Sequence, residues 1–96
     1  MPYRSPLAEL RFHLAQVAGF AQVAATPRFA EATPDLAEAV LAEGARLCDG
    51  LAPLNRAGDL SPARLEDGAV VTPPGYAEGY RQIASGGWIG LSAPQE

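Results

Sequence analysis

A chain of 96 residues is one small domain or part of a larger one, and although 48% of it is hydrophobic, 19 of those residues are Ala. Leu, Ile, Val and Phe number 21, just above the ~20% level below which chains stay disordered, so the core is thin and needs most of its large side chains, or a partner's surface, to offset the entropy of ordering. The net charge of −4, the absence of Lys and the even spread of the seven Arg exclude a nucleic-acid footprint, and no apolar run approaches the ~18 residues of a membrane span.

The opening MPYRSP lacks the apolar core of a secretory leader, so a cytoplasmic protein is expected. Its two prolines make it an extended arm, with Ser5 suited to cap a helix and Pro6 to its first position. Leu7, Leu10, Leu14, Val17 and Ala21 recur at three- and four-residue steps and predict a helix over residues 6–21. Phe12 lies on its opposite side beside Ala8, Ala15 and Gly19, which predicts a helix covered from two sides. Residues 22–32 lose the pattern and Pro27 breaks any continuing helix, so a linker or short turn is expected, with Phe29 tucked inward.

Residues 33–59 carry the longest amphipathic pattern. Thr33 is the cap, Pro34 takes the first turn and Asp35 puts negative charge at the positive end of the helix dipole. Leu36, Val40, Gly44, Leu47, Leu51 and Leu54 share one side, with Glu38, Ala42, Arg46 and Asp49 on the other. Pro53 should bend or loosen the last turn. Residues 58–72 read as an irregular or hairpin-like loop, in which the turn dipeptide Asp67-Gly68 separates residues 63–66 from the β-branched 69–72.

A third helix follows, with Pro73 as cap, Pro74 as first residue, Tyr76, Tyr80 and Ile83 as its stripe, and Gly86 and Gly87 at its end. Trp88, Ile89 and Leu91 place large apolar groups where termini are usually polar, which suggests a chain that continues. The expected fold class is all-α, a small helical segment of three main helices.

No catalytic, cofactor-binding or metal-ligating residue is assigned. His13 is the only histidine and has Glu9, Gln16 and Val17 as helical neighbours, none a nucleophile, so it reads as a surface or boundary residue. Cys48 is alone and reads as a small core residue rather than a ligand. Asp35, Glu38, Glu43 and Asp49 lie together on a polar helix side, a solvated or salt-bridged face rather than the dry cleft that acid–base pairs need. Ser85-Gly86-Gly87 is a helix end and not a phosphate cradle, since no Lys accompanies it. Tyr76 and Tyr80 read as core or interface packing, with only Arg81 near enough to suggest base stacking.

Five blocks in order, Tyr3-x-x-Pro6-Leu7, Phe12-x-Leu14 with Val17, Pro53-Leu54-Asn55-Arg56-x-Gly58-Asp59, Asp67-Gly68-x-Val70-x-Thr72-Pro73-x-Gly75-Tyr76, and Gly87-Trp88-x-Gly90-Leu91, span nearly the whole chain. In these the sequence resembles the N-terminal part of FAD-dependent acyl-CoA dehydrogenases, within a bacterial branch that carries an added N-terminal segment. The resemblance implies an incomplete N-terminal α domain over residues 1–96. In the family the flavin and acyl-CoA lie between later domains, and a glutamate base removes the α-proton of the thioester while hydride passes to the flavin. No position here matches that glutamate or the flavin-contacting segments. The resemblance therefore implies a structural part of an oxidoreductase of fatty acid metabolism that binds no FAD by itself. The expected partners are the remaining domains of the dehydrogenase, or a second copy through exposed apolar surface, and a homo-oligomer is expected. It also implies continuation into a Gly-Gly-x-Gly segment. The alternative is a free-standing helical protein–protein interaction module, a homodimer closing its apolar face on itself.

Overall fold

In a computed structural model, which describes residues 2–94, the chain divides into two compact units, Met1–Asp49 and Gly50–Glu96. In the first unit α1 (Leu7–Phe12) runs on as a π-helical turn, His13–Val17, closed by the Ala18 N–H donating to the His13 carbonyl at 2.8 Å. Gly19 then takes φ +65° and α2 (Phe20–Ala24) starts afresh, so the helix expected over residues 6–21 is interrupted. A left-handed residue cannot sit inside a right-handed helix, and only glycine adopts it at no cost.

Ser5 does not cap α1: Pro6 occupies the cap and no side chain bonds there. Ser5 instead donates its N–H at 2.7 Å and its hydroxyl at 2.8 Å to Asp49 Oδ1, and the Ala45 carbonyl oxygen lies 3.2 Å from the same hydroxyl. The arm is thereby tied to a residue 44 positions away. After α2 comes a 3₁₀ turn, Pro27–Phe29. Phe29 is exposed rather than tucked in, with the Arg28 guanidinium 5.3 Å from its ring centroid. The two-sided cover expected for the first helix is not found either: Leu7 and Leu14 are half-buried, while Leu10, Phe12 and Val17 are exposed.

The long helix begins as predicted. The Leu36 N–H donates to Thr33 Oγ1 at 3.2 Å, which satisfies one of the amides that a helix start leaves open. This helix, α3, covers Pro34–Leu51 and does not continue to Asp59. Pro53, lacking an N–H, opens a separate helix, α4 (Pro53–Leu60), and the Asn55 N–H donates to the Ala52 carbonyl at 3.1 Å across the junction. The loop expected from residue 58 accordingly begins only after Leu60.

The all-α expectation is overturned. In the second unit β1 (Arg64–Glu66) and β2 (Ala69–Val71) form a two-stranded antiparallel sheet in the register Arg64↔Val71, Leu65↔Val70, Glu66↔Ala69. Asp67 and Gly68 both take positive φ, 50° and 78°, the turn whose twist matches a hairpin. Among the described residues there are five α-helices rather than three main ones, and the fold is mostly helical with a small sheet.

The last helix, α5 (Tyr76–Ser85), starts two residues later than the prolines suggested. Its cap is Gly75 at φ +85°, and Pro73 sits buried in the preceding turn with its carbonyl accepting the Tyr76 N–H at 3.2 Å. Gly87, at φ +79°, ends it as expected. Gly79 is buried on the side of α5 that meets Leu51 and Leu54: a Cβ at residue 79 would stand 2.6 Å from Leu54 Cδ1 and 3.2 Å from Leu51 Cδ2. At Gly58 the Tyr76 hydroxyl occupies the place a Cβ would take. Among the described residues no large apolar side chain is fully buried; Leu47, Leu51, Leu54, Ile83 and Trp88 are half-buried and Leu36 is exposed. No described helix is long and apolar enough to cross a membrane.

Candidate functional site

The concavity of the first unit is a cleft built by the end of α1, the π-helical turn, the start of α2 and the first turns of α3. Leu14, Ala15, Phe20, Ala37 and Leu41 line it, and Arg11 and Glu38 stand at its polar edge. Arg11 donates through Nε to Glu38 Oε2 at 2.9 Å and through a terminal nitrogen to Oε1, a two-point pair across 27 residues. The hydrogen bond that Arg11 donates to Glu38, with the charge of that carboxylate, pushes the Arg11 guanidinium above its ordinary range. The cleft can accept an apolar group.

Two other carboxylates of α3 also make defined contacts. Asp49 is half-buried and holds Ser5, and Glu43 pairs with Arg46 one turn on, Nε to Oε2 at 3.1 Å. Two hydrogen bonds from Arg46, aided by its charge, hold the Glu43 carboxyl below its ordinary range. Glu38 and Glu43 follow the salt-bridged reading of this face, whereas Asp49 is half-buried against Ser5.

His13 is exposed, and its Nδ1 lies 2.9 Å from the Glu9 carbonyl oxygen. A carbonyl only accepts, so Nδ1 carries the proton. The Phe12 ring meets the His13 ring edge-on at 5.7 Å. Cys48 is exposed, not a core residue, because it falls beside the apolar stripe rather than on it. Among the described residues no group of three or more His, Cys, Asp or Glu could hold a metal ion. Tyr80 is 63% exposed and Tyr76 40%, so their packing role is partial; Arg81, the cation near them, is held by Glu78 at 2.7 Å. Sequence reasoning missed the Arg11–Glu38 pair, because nothing in a single helix pattern says which distant face an exposed arginine will meet.

No family model matches the chain. Over 100% of its length, and at 39% identity, it aligns with 3-methylmercaptopropionyl-CoA dehydrogenase of Ruegeria pomeroyi, and it spans 16% of that protein's length. The resemblance to an acyl-CoA dehydrogenase holds across the whole chain. The blocks that carry the acyl-CoA dehydrogenase resemblance have visible structural tasks. Pro53-Leu54-Asn55-Arg56-x-Gly58-Asp59 is nearly all of α4, and Asp67-Gly68 is the hairpin turn. Pro73-x-Gly75-Tyr76 is the turn into α5, with Pro73 buried and Gly75 as the cap. Residues of two of these blocks, 18 or more positions apart, meet: Leu54 against Gly75, and Tyr76 against Gly58. In this chain the blocks that carry the resemblance take part in packing.

Proposed function

We propose that this chain is a structural helical segment of the N-terminal α domain of an FAD-dependent acyl-CoA dehydrogenase, a cytoplasmic enzyme that dehydrogenates acyl-CoA thioesters between the α and β carbons. The observation that carries the reading is the end-to-end similarity, at 39% identity, to a stretch amounting to 16% of a dehydrogenase. The thin packing of both units suits a part whose apolar faces other domains of the enzyme cover.

The residues that line the cleft of the first unit do not fit a flavin dinucleotide. The cleft of the first unit is lined by aliphatic and aromatic carbon, and its one cation, Arg11, is engaged at two points by Glu38. A pyrophosphate entering there would find no uncommitted positive charge among the lining residues. The segment by itself is therefore proposed to bind no FAD and to turn over no acyl-CoA.

The test is to purify the 96-residue chain, add FAD, desalt, and record the visible spectrum. The expected result is no retained flavin band. A bound-flavin spectrum together with oxidation of an acyl-CoA would overturn the reading. A free-standing homodimeric module is the alternative that the exposure of Phe12 and Val17 favours. It predicts a cooperative melt and a dimer at low micromolar concentration by light scattering, whereas a dye-binding chain that melts without cooperativity argues for the segment.

A further inference from the structure

We propose that the outer edge of β1 is a self-pairing surface, on which β1 of a second copy of this chain docks antiparallel in a register centred on Leu65. The sheet has two strands, so among the described residues both its outer edges are open, and a lone two-stranded ribbon is marginal in water until strands or a helix are added. Leu65 and Val70 stand opposite each other and are 74% and 73% exposed, an apolar cross-strand pair without cover.

Backbone geometry selects Leu65 as the centre. In an antiparallel ladder, pairs that exchange hydrogen bonds alternate with pairs that do not. The two-residue turn makes Glu66↔Ala69 a bonded pair, so at Leu65↔Val70 the strands do not bond to each other. The N–H and C=O of Leu65 are thereby directed to the open edge. Two copies related by a twofold axis at Leu65 exchange both of these bonds.

Charge selects β1 over β2. Arg64 and Glu66 flank Leu65 on the other face of the strand, with Arg64 Nη2 3.0 Å from Glu66 Oε2, and both side chains are about half exposed. In a register centred on Leu65, Arg64 of one copy falls opposite Glu66 of the other, twice by symmetry, at the side-chain-close positions of the ladder. The edge offered by β2, Ala69-Val70-Val71, has no charge to set a register. The joined sheet places Leu65 and Val70 of both copies in one apolar row, and the flanking charges resist slipped or parallel pairings. This inference does not rest on the dehydrogenase reading.

Charge reversal tests it without disturbing buried groups. Sedimentation velocity over a concentration series should show wild-type chain dimerising reversibly and weakly, as a small interface does. Arg64→Glu and Glu66→Arg should each raise the dimer Kd by roughly tenfold, since each turns two attractive cross-strand pairs into repulsive ones. An equal mixture of the two variants should dimerise like the wild type, because one presents two acids and the other two arginines. Unchanged far-UV circular dichroism would show that the fold is intact. A wild-type chain that stays monomeric at every concentration, a dimer whose Kd neither reversal moves, or a mixture that fails to recover pairing would each overturn the proposal.

Discussion

In Met1–Asp49 the side-chain ties between distant elements are polar, Ser5 to Asp49 and Arg11 to Glu38. In Gly50–Glu96 the ion pairs stay within β1 and α5, and separate elements meet through Leu54, Tyr76 and glycine. Both units have too few large apolar side chains to bury, and they compensate differently. Directional polar contacts tolerate loose packing around them but answer to protonation and salt. Glycine-mediated approach answers to volume instead, because no side chain is present to move aside.

The largest expected effect is therefore on the second unit. Gly79→Val should lower stability by about 2 kcal/mol, the cost of forcing extra carbon into a close contact, seen as a lower urea midpoint. Gly79→Ala should cost less, since helix propensity returns roughly 1 kcal/mol. An unchanged midpoint for the valine variant would mean that the contact with Leu54 does not hold α4 and α5 together.

Next in size is the anchor of the arm. Asp49→Ala leaves the Ser5 N–H and hydroxyl without their acceptor, and should cost about 1–2 kcal/mol. Hydrogen exchange at the Ser5 amide should accelerate and proteases should cut sooner within residues 2–6. Arm residues as protected as in the wild type would count against the tie.

Smaller still is the exposed Arg11–Glu38 pair. Arg11→Met should lower the melting temperature slightly in dilute buffer and not at all in ~1 M salt, where screening reaches only about 3 Å. A difference that survives high salt would assign Arg11 a packing role.

The smallest effect concerns Glu43, whose carboxyl Arg46 holds below its ordinary value. A lowered carboxyl contributes stability that is present above its unfolded pKa and is lost as the pH falls through the folded value. NMR titration should place the Glu43 midpoint below the ordinary 4.5, and Arg46→Gln should move it upward. A midpoint indifferent to that change would remove the pair from the ledger of polar ties.

What the sequence determined by itself was local. Thr33 as a cap, the start of α3, the Asp67-Gly68 turn with its flanking strands, and Gly87 as a helix end all follow from backbone preferences within a few residues, which need no knowledge of the rest of the chain. Of the α3 carboxylates, Glu43 has its arginine one turn away within the same helix, whereas Glu38 meets an arginine 27 residues distant. What only the tertiary structure decided was which of two permitted local outcomes each breaker takes. Ser5 could cap α1 or reach Asp49; Pro53 could bend a helix or start one; Gly75 rather than Pro73 caps α5, because there the Leu54 side chain leaves no room for a Cβ. The positions of Phe29 and Cys48 on the surface were also beyond reach, because a periodic pattern names a face without saying how much neighbouring surface exists to cover it.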